Sequence, residues 1–188
     1  MSCDLLQTEI PGNHYQGDIL DIIDDNWDIG IFHPPCTYLT NAGVRHLHEN
    51  VTSKNGVRAK IYGAARMLEM EKAANFFNRL QNANIPKICI ENPIPHKYAR
   101  AIIGNYTQLI QPFQYGHKET KATCLWLRNL PNLVPTNVVG PPPKNMTLAE
   151  KKLWHRVHYT SPGKDRWKKR SVTFQGITDA FAAQWGVL

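Results

Sequence analysis

The chain has 188 residues, 42% of them hydrophobic and 20% charged, which fits one globular domain with at most a small appendage and excludes wholesale disorder. No apolar run approaches the ~20 residues of a bilayer span, the opening MSCDLLQTEI does not read as a secretory signal, and Cys3, Cys36, Cys89 and Cys124 form no C-x-x-C pair, a pattern that fits reduced thiols in a cytoplasm. The net charge of +7 matters through its distribution: the first 31 residues contain no Lys or Arg, and the excess lies towards the C-terminus.

In chain order, an acidic opening (Asp4, Glu9, Asp18, Asp21, Asp24, Asp25 and Asp28) precedes the apolar run Ile29-Gly30-Ile31-Phe32. That run stops at His33-Pro34-Pro35 and predicts a short buried parallel strand opening into a loop. Apolar residues from Val57 to Asn82 recur at threes and fours and predict a helix, with Ser53 or Asn55 as its cap. Pro86-Lys87-Ile88-Cys89-Ile90 predicts a second buried strand closing on Glu91-Asn92-Pro93. Strand, long helix and strand make a βαβ crossover and therefore a parallel sheet covered by helices.

A helix is expected from about Pro95 to Ile103, ending at Gly104, followed by strands at Thr107 to Ile110 and Cys124 to Leu127. Residues 1–130 read as the α/β core. Residues 131–170 read as a Pro-rich basic insertion with a short amphipathic helix near Leu148 to Val157. Residues 171–188 read as a C-terminal helix returning to the core. Within the insertion Lys144, Lys151, Lys152, Arg156, Lys164, Arg166, Lys168, Lys169 and Arg170 face only Glu150 and Asp165. Such a segment suits a polyphosphate backbone, where each neutralised phosphate releases counterions; its plainer interpretation is a solvated basic loop.

Ligands of parallel α/β sheets bind beyond the carboxyl ends of the strands. Two motifs fall at such ends: His33-Pro34-Pro35-Cys36 and Glu91-Asn92-Pro93. Each has an ordinary explanation alone, the first as a turn with a packed cysteine and the second as a helix-start signal. Adjacent strands lie about 4.8 Å apart, so together they can bring a thiol and a carboxyl into one cleft.

These residues carry a resemblance. Gly17-Asp18-Ile19, Trp27-Asp28, Pro34-Pro35-Cys36 with Ala42-Gly43, and Pro86-Lys87 leading to Glu91-Asn92 resemble the DNA cytosine-C5 methyltransferases over most of residues 4–128. The closing part, from Ser161-Pro162-Gly163 to Gln184-Trp185-Gly186, looks like a compact, phage-type branch. The resemblance implies a Rossmann-like, doubly wound, mostly parallel sheet of the S-adenosylmethionine-dependent type. It implies Cys36 as the nucleophile adding to C6 of a flipped cytosine, and Glu91 as the acid binding N3 and the exocyclic amine. Asn92 would position the loop and Lys121 would supply a cation. Asp4, Asp18, Ile19 and Pro34 fall where the family holds S-adenosylmethionine, and DNA is the implied partner.

The sequence also departs from the family. Met1 falls just before the second strand of the family plan, so the first, central strand and its glycine-rich turn are not in these residues. The sheet is then expected to be short by that strand, or completed by another chain or a second copy. His33 stands where the family usually has glycine, and Glu119-Thr120-Lys121-Ala122-Thr123 replaces an element with two arginines, leaving one cation that is not equivalent to arginine. Two alternatives stay open at this stage: a cofactor-less, non-catalytic DNA-binding or interaction protein, and a pyrimidine-modifying enzyme with another donor. His46 and His48 have no carboxylate or cysteine completing a zinc pattern around them, so no metal is assigned.

Overall fold

The computed structural model describes residues 1–48 and 61–187. The first part of the predicted long helix, from Val57, and its caps Ser53 and Asn55 lie outside the described residues. Among the described residues there are six strands: β1 (Ser2–Asp4), β2 (His14–Gln16), β3 (Ile29–Phe32), β4 (Lys87–Pro93), β5 (Gln108–Ile110) and β6 (Thr123–Arg128). The helices are α1 (Gly63–Gln81), α2 (Lys97–Ile103), α3 (Leu148–Trp154), α4 (Arg166–Ser171) and α5 (Gln175–Trp185), with 3-10 turns at Ile19–Asp21, Asn41–Leu47 and Pro112–Gln114.

The strands form two separate sheets. β1 and β2 pair in parallel, and β3, β4, β6 and β5 form a four-stranded sheet in that order. Among the described residues no strand joins the two. β3 and β4 are parallel through the α1 crossover, as the βαβ pattern predicts. The α/β class holds, and the four-stranded sheet is mixed, because β6 runs antiparallel to both β4 and β5. Between β5 and β6 the chain makes a 3-10 turn and a loop with no α-helix, a connection that reverses direction instead of crossing over.

The alternation of β4 divides the core. Ile88 and Ile90 face one side with Phe32, Cys124 and Trp126, where Met70, Ala74, Phe77 and Leu80 of α1 cover them. Cys89 faces the other side with Ile110 and Leu125, where Ile177, Ala180, Phe181 and Trp185 of α5 cover them. The sheet is therefore covered by helices on both faces. Phe77 is fully buried and meets Trp126 edge-on at 4.9 Å between centroids, a contact of the kind that adds about 0.5–1.5 kcal/mol beyond area burial.

The buried stripe of α1 is Arg66, Met70, Ala74, Phe77 and Leu80, whereas Ala65 and Leu68, two of the apolar residues in the helical spacing, are exposed. Helical spacing was legible, but the stripe follows the steps back from Leu80 and Phe77, and these lead to a polar residue at 66. α5 docks closely: a Cβ on Gly176 would stand 2.0 Å from the Tyr115 carbonyl oxygen, so only glycine fits.

The predicted strand closing before Glu91 extends through Pro93, because β6 pairs with it as far as Pro93 opposite Thr123. Glu91 and Asn92 therefore stand in a strand held on one side by β6 and facing the loop after β3 on the other. The basic segment contains α4 as well as the expected α3. No described helix is long and apolar enough to cross a membrane.

Candidate active site

The β3–β4 register sets the site. Phe32 faces Ile90 as the last parallel pair, so the following residues, His33 and Pro34, come alongside Glu91 and Asn92. His33 Nδ1 lies 2.9 Å from Glu91 Oε2. Asn92 Nδ2 donates to the Pro34 carbonyl oxygen at 3.0 Å. Pro34, Glu91 and Asn92 are buried, and Cys36 is half-buried two residues beyond Pro34. Asn92 Oδ1 is buried and has no partner among the described residues.

The Cys36 loop is fixed from below as well. The Cys36 carbonyl oxygen accepts from the backbone N–H groups of Leu39 (3.1 Å) and Thr40 (3.2 Å), closing a tight turn. His96 caps α2 by accepting from Ala99 N–H at Nδ1, which leaves Nε2 to donate to the Tyr38 carbonyl at 2.9 Å. Burial lowers the pKa of His96, in keeping with a neutral ring in this bridging role. Arg66 donates to the Thr37 carbonyl at 3.2 Å and lies over the Tyr38 ring. A Cβ at Gly43 would stand 2.2 Å from that guanidinium, so a side chain there would require Arg66 to shift.

Four charged or ionisable groups, Cys36, Glu91, Lys121 and Arg170, influence one another around this loop. Burial raises the Cys36 thiol pKa above the ordinary thiol value; the Glu91 carboxylate adds to the rise, while its own backbone hydrogen bond and the Lys121 and Arg170 cations oppose it. Burial lowers the Lys121 pKa, against the opposing pull of Glu91 and Cys36. Lys121 also donates to the Val172 carbonyl at 3.1 Å, which ties the stretch before β6 to the link between α4 and α5. Cys36, Glu91, Asn92 and Lys121 are thus brought to one end of β3, β4 and β6. Arg170, expected among the phosphate-facing residues, extends its charge to this same centre.

Of the expected cofactor residues, Asp4, Asp18 and Ile19 lie at the carboxyl ends of β1 and β2, whereas Pro34 lies after β3 in the Cys36 loop. Asp4 is the last residue of β1 and accepts from Leu6 N–H at 2.8 Å; Asp18 follows β2 and accepts from Leu20 N–H at 3.0 Å. Both are exposed, and both charges act on Cys3 between them. Each therefore caps a turn through one oxygen and keeps its second oxygen in solvent. Ile19 packs against the main core.

Of the basic residues, Lys144, Lys151, Lys152, Lys164 and Lys169 are exposed and make no ion pair among the described residues. Three others have internal work. Arg156 pairs with the fully buried Glu119 at 3.2 Å, Arg166 donates to the Thr160 carbonyl at 2.8 Å, and Lys168 pairs with Glu9. A cavity of about 600 Å³ lies at the opposite, amino end of β3 and β4, lined by Trp27, Asp28, Ile85 and Arg128 among others, and none of the expected site residues borders it.

Sequence reasoning missed the tasks of His96 and Arg66. His96 falls inside the helix expected from about Pro95 and is not a common capping residue type, and Arg66 meets carbonyls and a ring, so neither role was legible before the folded chain supplied its partners. No protein-family model and no curated protein matches the chain.

Proposed function

We propose that the protein is a cytosine-C5 methyltransferase-like enzyme acting on DNA, built on a Rossmann-like sheet of the S-adenosylmethionine-dependent type. The observation that carries this reading is that Cys36 and Glu91 belong to one electrostatic centre, with Asn92 tying their two segments together. C5 of cytosine is a weak nucleophile. Addition of the Cys36 thiolate to C6 makes C5 enamine-like, and Glu91, reaching N3 and the exocyclic amine, favours the charge that builds on the ring. Lys121 and Arg170 favour the thiolate form of Cys36. Asn92 keeps sulfur and carboxyl in register, which spares the reaction that ordering.

Two acids at adjacent strand ends, each with a free carboxylate oxygen, are a donor-accepting set that fits hydroxyl and amine groups. Asp4 and Asp18, with Ile19 and Pro34, would hold S-adenosylmethionine, which when bound supplies an electrophilic methyl sulfonium. The exposed lysines 144, 151, 152, 164 and 169 would contact phosphates, and the target base would leave its stack to reach Cys36.

The test is methyl transfer to cytosine-containing DNA, with Cys36→Ala and Glu91→Gln alongside. Transfer by the wild-type protein that is abolished in Cys36→Ala is expected; transfer unchanged in that variant would sink the reading. A second reading, a DNA-binding protein without catalysis, is favoured by the separation of the two sheets. It predicts salt-sensitive DNA binding with no binding of S-adenosylmethionine by calorimetry.

A further inference from the structure

Glu91 is not free to meet a base alone. His33 Nδ1 lies 2.9 Å from its Oε2, and the two differ in solvation: the His33 side chain is 45% exposed, the Glu91 side chain 9%. An imidazole open to water is therefore coupled to a carboxyl that is not. The contact follows from strand register, since His33 and Glu91 are the next pair after Phe32 and Ile90. It is also where the sequence departs from its family resemblance, which has glycine at this position.

Resting on the cytosine reading of Cys36 and Glu91, we propose that His33 is a positioning residue that shares one proton with Glu91, and that this is the proton given to the base. As ring N3 is presented, the proton passes from Nδ1 to the carboxyl, leaving a neutral imidazole and a carboxylic acid. The thiolate pair then forms the S–C6 bond, the C5–C6 π pair moves to C4–C5, and the C4–N3 π pair moves to N3. N3 takes the carboxyl proton and Glu91 is left ionised. When the adduct collapses, the same proton returns by the reverse path. The other charges at the centre are Cys36 from the loop after β3, Lys121 from the stretch before β6 and Arg170 at the end of α4, with Glu119 acting on Lys121.

The experiment follows release of tritium from C5 of cytosine in duplex DNA across the neutral pH range, without any methyl donor. It compares the wild-type protein with His33→Gly and His33→Asn, their folding checked by thermal melting. Both variants are expected to slow release by roughly 100-fold or more near neutrality. Added imidazole should restore part of the rate in His33→Gly. Unchanged rates in both variants would overturn the role of His33 while leaving the cytosine reading intact. A wild-type protein that binds the DNA yet releases no tritium would overturn that reading and the inference with it.

Discussion

Asn92 Nδ2 and the Pro34 carbonyl oxygen, 58 residues apart in sequence, are joined by a buried 3.0 Å hydrogen bond. This bond fastens the loop carrying Cys36 to the strand carrying Glu91. With the β3–β4 register it determines where the sulfur stands relative to the carboxyl.

Replacing Asn92 by Ala leaves the Pro34 carbonyl buried without its donor. A loss of about 1–3 kcal/mol is expected, seen as a fall of about 2–4 °C in melting temperature per kcal/mol for a chain of this size. Methyl transfer should fall further than stability alone explains, because the loop is released from β4. A full rate at a temperature where the variant is folded would refute the positioning role.

The raised thiol of Cys36 sets a pH dependence. The thiolate is the reactive form, so alkylation by iodoacetamide should remain slow through the ordinary thiol range and rise only above it. Glu91→Gln removes a charge that opposes the thiolate and should move the midpoint to lower pH. Lys121→Ala removes a cation that favours it and should move the midpoint to higher pH. Mass-spectrometric rates at Cys36 against pH measure both shifts, and equal midpoints in all three proteins would show that the charges do not reach the sulfur.

DNA binding by the exposed lysines should depend steeply on salt. If five of them each neutralise one phosphate, the slope of log K against log salt should be about −4.5 for duplex DNA. Lys151→Gln with Lys152→Gln should make the slope shallower by about 2. Anisotropy titrations at several salt concentrations give these slopes, and a flat dependence would mean that the segment is solvated surface.

Arg128 is expected to anchor the end of α1. Its guanidinium donates to the carbonyls of Gln81 (3.0 Å), Ala83 (2.6 Å) and Ile85, and a cation there complements the helix C-terminus. Arg128→Met keeps most of the stem and removes the donors. Water from the adjoining cavity can satisfy part of what is lost, so a cost of about 1–3 kcal/mol in urea denaturation is expected. No change in midpoint would show that water replaces the guanidinium fully.

The residues themselves were enough to determine the strand at Ile29–Phe32, the crossover helix, the strand beginning at Lys87, the α2 stop at Gly104 and the helical tail. Each is a local signal: an apolar run of strand length, helical spacing or a glycine stop. They also brought out Cys36 and Glu91, because motifs at successive parallel strand ends must lie close together. Only the tertiary structure decided the rest. The antiparallel placement of β6, the extension of β4 through Pro93, the contact of His33 with Glu91, the carbonyl partners of Arg66 and the reach of the Arg170 charge to Cys36 all depend on chain segments distant in sequence. Local composition carries no record of such partners, since a histidine or an arginine reads the same whether it meets water, a carbonyl or a carboxylate.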